Sequence, residues 1–157
     1  MSEEMLGVVR ETISLPYTWT AGPVGVRFLK ALKDKKIMGT VCPKCKRVLV
    51  RARRFCPRCF VDTTEWVEVS DKGTLKSFTL INYSFTGQPK NPPYLIGMIQ
   101  LDKADTCLFH FLGGVDLRDI EKACKEVKVG MRVRALWKKK REGKITDIEH
   151  FEPIIEG

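Results

Sequence analysis

The sequence predicts a mainly β chain: an N-terminal helix, a small metal-bound ribbon, then a five-stranded barrel of the OB type. Two observations carry this. Cys42-Pro-Lys-Cys45 and Cys56-Pro-Arg-Cys59 form two Cys-x-x-Cys knuckles with ten residues between them. After them come five β-patterned segments, with one helical segment between the third and fourth, which is the plan of an OB barrel. The 157 residues divide into an arm and helix at 1–37, a ribbon at 38–65 and a barrel at 66–157.

Two sulfurs at Cys-x-x-Cys spacing reach one ion from a single tight turn. Two such turns supply four thiolates, the closed tetrahedral shell of a structural zinc site. The expected ligands are Cys42, Cys45, Cys56 and Cys59. A closed shell has no position for substrate water, so the ion is read as a staple. Iron suits the same four-sulfur cage, and spacing does not exclude it. Two disulfides or a redox pair are the other readings of these cysteines.

Composition sets limits. Hydrophobic residues are 43% and charged residues 30%, which places the chain with ordinary globular proteins. No apolar run approaches a membrane span. Met1-Ser-Glu-Glu-Met5 is acidic and lacks an apolar core, so no secretory signal is expected. Six cysteines, four of them in knuckles, suit a reducing cytoplasm. The formal net charge is +9, and four thiolates with one divalent ion bring it nearer +7. That charge suits an anionic partner or a solvated basic surface equally.

In chain order, Val9, Ile13, Leu15 and Tyr17 alternate with mostly polar neighbours, which hints at an extended arm. Gly22-Pro23 opens a helix over residues 24–35, since proline is tolerated in a first turn. Val24, Phe28, Leu29 and Leu32 share one face, and lysines load the C-terminal end. The helix either docks a partner or caps its own domain. Arg47-Val-Leu-Val50 reads as a ribbon strand, followed by a basic cluster at Arg51, Arg53 and Arg54. The ribbon is too small for a core of its own, so the metal is expected to supply most of its folding energy.

Barrel strands are expected at 74–85, 94–101, 106–112, 131–137 and 144–151, with a helix at 117–127. In the first of them Leu75, Ser77, Thr79 and Ile81 are placed on one face, and Lys76, Phe78, Leu80 and Asn82 on the other. Three prolines and a glycine make residues 87–93 a loop.

These residues resemble a known family, the acyl-CoA-associated proteins in which a rubredoxin-like zinc ribbon precedes an OB-fold. The resemblance covers about residues 28–153. It rests on Cys42-x-x-Cys45, Cys56-Pro-x-Cys59, Glu65-Trp66, Gly73-Thr-Leu-Lys-Ser-Phe-Thr79, Pro92-Pro-Tyr94, Leu101-Asp102 and Val129-Gly-Met-Arg-Val133. Knuckles alone are unspecific; the ordered set is much more specific. The family commonly carries Pro-Pro-Arg before the second knuckle, where this chain has Arg51-Ala-Arg53. Arg53 keeps its place, but the rigidity lent by two prolines is lost.

The resemblance implies an accessory role beside a thiolase-fold catalytic subunit in a hetero-oligomer. It implies a scaffold that helps bind coenzyme A or acyl-CoA at a site shared with that partner. The N-terminal extension resembles that of small subunits of two-component thiolases, including those acting on aromatic acyl-CoA.

No catalytic residue is expected on the chain itself. A thiolase needs an activated cysteine with a histidine beside it. Cys107 lies in a strand pattern and Cys124 on the apolar face of a short helix, both positions of inert packing cysteines. His110 alternates with Phe109 and Phe111, and neither it nor His150 lies in a catalytic motif. Gly113-Gly114 is a turn and not a phosphate loop.

Two function classes remain. In the first, a zinc accessory subunit, Arg51, Arg53, Arg54 and Arg58 are the candidate coenzyme A contacts, because guanidinium forks bind phosphate oxygens bidentately. A solvated basic edge is the bland alternative. In the second, the chain binds single-stranded nucleic acid through Lys76, Phe78, Tyr83, Phe85 and the Lys138-Lys-Lys-Arg141 turn. The resemblance favours the first and makes nucleic acid the lesser reading.

Overall fold

A computed structural model of the chain describes residue 7, residues 15–63 and residues 65–154. Val9 and Ile13 of the expected arm, and the acidic start of the chain, lie outside the described residues. From Leu15 the arm runs without regular structure to helix α1 (Gly22–Lys33). Pro23 sits in its first turn, and Thr20 Oγ1 accepts the Gly22 N–H at 3.3 Å. At the other end Lys35 takes a left-handed φ of 57°, so its N–H reaches the Leu32 carbonyl and the Lys36 N–H reaches that of Ala31. The helix caps its own domain. Phe28 and Leu32 are buried in the main core, and the Arg27 guanidinium lies 4.3 Å from the Trp66 ring centroid.

Three strands form the ribbon sheet in the order β2-β1-β3: β1 (Ile37–Val41), β2 (Val48–Leu49) and β3 (Glu65–Val69). Strand β3, in which Trp66 pairs with Thr40, is absent from the sequence reading. Its alternation is masked because Trp66 and Val67 are both half-buried. The ribbon is not independent of the barrel. Ile37, Val50 and Val69 share one apolar cluster with barrel residues such as Leu75, Ile99 and Phe151. Asp105 accepts the Val48 N–H at 2.8 Å and returns its own N–H to the Val48 carbonyl at 2.9 Å. Thr106 Oγ1 accepts the Val50 N–H and donates to the Val50 carbonyl, each at 2.7 Å.

The barrel closes in the order β4-β5-β6-β8-β7. Its elements are β4 (Lys72–Ile81), β5 (Tyr94–Leu101), β6 (Cys107–Leu112), helix α2 (Ile120–Glu126), β7 (Arg132–Trp137), a 3₁₀ turn at Ile145–Asp147 and β8 (Ile148–Pro153). Leu95, Ile99 and Leu101 of β5 and Leu108, His110 and Leu112 of β6 point inward, as period-two patterning requires. Four antiparallel ladders make up most of the wall. The closure between β6 and β8 is parallel and has one rung, Leu112 opposite Phe151.

Three expectations are corrected. β4 ends at Ile81, which leaves Tyr83 and Phe85 in the following loop. A bulge between Leu75 and Ser77 breaks the simple alternation in β4, so Phe78 and Leu80 pack against the same core as Leu75. Helix α2 is shorter than expected, with Asp119 accepting the Lys122 N–H as its N-cap, and it buries Ala123 while leaving Cys124 exposed. Cys124 is therefore not a packing residue.

Candidate metal centre and the arginine loop

Both knuckles are built the same way. Cys42 follows β1, donates its N–H to the Arg47 carbonyl at 2.9 Å and accepts the Lys46 N–H on its own carbonyl at 2.9 Å. Cys56 repeats this with Val61 at 2.9 Å and Phe60 at 2.8 Å. The turns close because Lys46 and Phe60 adopt left-handed φ of 60° and 53°. The Cys45 N–H also points at Cys42 Sγ, 3.4 Å away.

The four cysteines are free, and their sulfurs lie within 4.8 Å of one another. Cys45 Sγ and Cys56 Sγ are 3.9 Å apart. Tetrahedral zinc with sulfur at about 2.3 Å sets neighbouring sulfurs about 3.8 Å apart, so the donor set fits that ion. Cys42 and Cys56 are fully buried, and with Leu49 they form the ribbon's own small cluster. The protons are unevenly held. The Cys45 N–H, against the cost of burial, brings the Cys42 thiol down to about 6. Loss of water, with the neighbouring sulfurs, pushes Cys59 up to about 12. Four thiolates packed this closely repel one another, and a divalent cation is what allows all four to ionise.

Arg51, Arg53, Arg54 and Arg58 are all exposed, and none pairs with a carboxylate among the described residues. Three of them are divided between two clefts that share Arg51. Arg51 and Arg54 line a cleft of about 410 Å³ beneath Trp19 and the start of α1. Arg51 and Arg53 line a second, of about 280 Å³, facing Cys107 and Phe109. Arg58 sits in the second knuckle and lines neither.

The missing prolines of this loop are compensated. Buried Thr40 accepts the Arg53 N–H at 3.0 Å and donates to the Arg53 carbonyl at 2.9 Å. Thr63 donates to the Arg53 carbonyl as well and reaches that of Arg54 at 3.1 Å. Sequence reasoning missed both threonines, since a threonine in a β pattern reads as an ordinary strand former.

His110 is buried inside the barrel wall. Its Nδ1 accepts the Phe111 N–H at 2.9 Å, so Nε2 carries the proton and donates to the Ile145 carbonyl at 3.1 Å. Burial holds its pKa below the usual histidine range. Cys107 faces the opposite side of β6 and is half-buried. The family motifs Leu101-Asp102 and Val129-Gly-Met-Arg-Val133 meet in space, where Arg132 donates to both Asp102 oxygens at 2.8 and 2.6 Å. This bond holds the Asp102 carboxyl below its usual range.

The residues of the nucleic-acid reading are dispersed. Phe78 packs against the core, while Tyr83 and Phe85 form an exposed pair with ring centroids 6.1 Å apart. Arg141 donates to the carbonyls of Lys33, Lys138 and Lys139, tying the basic turn to the end of α1.

Comparison with known proteins agrees with this architecture. Residues 29–65 match the family model described as the ChsH2 rubredoxin-like zinc ribbon domain, and residues 66–138 match the ChsH2 C-terminal OB-fold domain. A DUF35 domain-containing scaffold protein of Methanocaldococcus jannaschii is 27% identical over 82% of this chain and 90% of its own length. One from Pyrococcus furiosus is 28% identical over 82% and 92%. A DUF35 crystal structure from Sulfolobus solfataricus, of unknown function, aligns at TM-score 0.57 and 32% identity, over 73% of this chain and 78% of that one. A solved Ltp2-ChsH2(DUF35) aldolase shares the fold at TM-score 0.57 and 22% identity, over 81% and 91%. With ribbon and barrel matched in order over most of its length, the chain belongs to the DUF35 family of zinc-ribbon/OB-fold proteins.

Proposed function

We propose that the chain is a non-catalytic accessory subunit of an acyl-CoA-metabolising enzyme, with a thiolase-fold protein as its catalytic partner. It acts as a scaffold and supplies part of a coenzyme A site shared with that partner. Cys42, Cys45, Cys56 and Cys59 hold a structural zinc ion that fixes the ribbon. A scaffold role is supported by the archaeal relatives, which are described as scaffold proteins, and a partner enzyme by the aldolase in which Ltp2 accompanies ChsH2. The observation that carries the coenzyme A reading is the set of exposed guanidiniums at Arg51, Arg53 and Arg54, which have no carboxylate partner among the described residues. They sit on a loop whose backbone Thr40 and Thr63 hold in place. Such forks are ready for phosphate oxygens without losing an existing partner. Leu15, Tyr17 and Trp19 of the arm are 76%, 81% and 70% exposed and offer apolar surface for a partner to cover. Among the described residues no helix is long and apolar enough to cross a membrane, and free cysteines suit a reducing cytoplasm.

The test is to purify the tagged chain from its native cell, identify what co-purifies, and titrate the complex with coenzyme A by calorimetry. A thiolase-fold protein is expected, with coenzyme A bound more tightly than by that protein alone. Arg51→Ala should weaken this binding about tenfold, as expected for a lost charge-assisted pair. Tight binding of single-stranded oligonucleotides with no thiolase recovered would favour the second reading, whose best support is the exposed Tyr83–Phe85 pair.

A further inference from the structure

The outer face of β5 and β6 carries a cluster that neither the zinc nor the arginine loop explains. Register sets Ile96 opposite Phe111 and Met98 opposite Phe109, so four apolar side chains stand together on the side of the barrel facing away from the core. Phe109 is 67% exposed. It stands between two shallow hollows of about 320 and 210 Å³ that both include Ile96. Phe111 stands edge-on to buried Tyr94, 5.7 Å between ring centroids.

The rim is cationic at both ends. Lys90 Nζ lies 5.8 Å from the Phe111 centroid, and Arg51 and Arg53 line the hollow on the far side of Phe109. No residue lining these three hollows is acidic.

We propose that this face docks the catalytic partner subunit, through a partner patch with an apolar centre and carboxylates on its rim. The inference rests on the accessory-subunit reading and assigns the barrel surface that serves it. A protruding aromatic within an apolar quartet has the form of an interface anchor. The hollows beside it are shallow and open rather than enclosing, so a macromolecular surface is the better fit. Charge selects among surfaces. A second copy of this chain would bring cationic rims together, whereas a carboxylate on the partner's rim would pair with Lys90 and leave Arg51 and Arg53 to coenzyme A.

The test uses the full chain and the thiolase-fold protein that co-purifies with it. Phe109→Asp and the milder Phe109→Ser replace a solvent-facing side chain, and thermal melts and zinc content report whether each variant is folded. The expected result is at least a thirtyfold loss of affinity for Phe109→Asp and a smaller loss for Phe109→Ser. Lys90→Glu should weaken the complex and flatten its salt dependence. If wild type binds and folded Phe109 variants bind equally well, this proposal is overturned while the accessory reading stands. Failure of wild type to bind any thiolase-fold protein overturns both. Two other outcomes would reassign the face: a wild-type homodimer in sedimentation that Phe109→Asp dissolves, or loss of dodecanoyl-CoA binding in Phe109→Asp with the protein complex intact.

Discussion

At the residue scale, His110 is a buried group whose protonation the fold resists. A neutral ring satisfies both neighbours, since Nδ1 accepts from Phe111 and Nε2 donates to Ile145. A protonated ring would turn its Nδ1–H against the Phe111 N–H. The folded pKa is depressed by burial, so the unfolded chain takes up the proton first as pH falls. The stability His110 contributes is therefore complete above about pH 6.5 and is lost as pH drops from there toward the folded pKa. Melts between pH 8 and 5 should fall more steeply for wild type than for His110→Gln, which does not titrate. Parallel profiles would show that His110 does not govern the acid limb. Asp102 works in the same direction at lower pH, because Arg132 holds its carboxyl below its usual range. The histidine's alternation with two phenylalanines was legible in the sequence. Its tautomer was not, because Ile145 is thirty-five residues away in the chain.

At the scale of elements, several strands were read closely, but the last, expected at 144–151, begins only at Ile148 because a 3₁₀ turn occupies Ile145–Asp147. The 94–101 segment became β5 residue for residue. The failures have physical causes: the β4 bulge displaced Phe78 and Leu80 to the inner face, and in the short β3 the adjacent Trp66 and Val67 are both half-buried, which hides the period. At helix ends the structure departs from the obvious residue choice. Lys35 occupies the left-handed position that closes α1, where glycine is the usual occupant. Lys35→Gly should raise stability by about 0.5 kcal/mol, the left-handed strain relieved less the greater unfolded-state freedom of glycine. Thermal or urea unfolding would measure it, and a loss of stability would mean that the lysine side chain contributes something beyond its backbone.

At the scale of the whole molecule, the four-cysteine cluster was visible in the spacing, while the joining of ribbon to barrel was not. Asp105 and Thr106 bind β2 from the barrel side, and Ile37, Val50 and Val69 lie in the barrel's core. No local pattern announces pairings more than fifty residues apart. Coupling follows from them. Structural zinc contributes about 10 kcal/mol or more to small ribbons. Cys56→Ser, or chelation of wild type, should therefore lower the melting temperature of the barrel along with the ribbon, in one transition. A barrel melt indifferent to metal would show two independent modules. Barrel closure itself has an asymmetry with its own consequence. Four ladders are antiparallel and long enough to hold, whereas β6 meets β8 at a single parallel rung, Leu112 opposite Phe151, with the Gly113 N–H on the Phe151 carbonyl at 2.8 Å. Breaking that rung, with the His110–Ile145 bond beside it, opens the ring into a twisted five-stranded strip without cutting any hairpin. The least costly excursion of the barrel is thus an unclasping, and the amide of Gly113 should trade its hydrogen for deuterium well before the amides along β5 do.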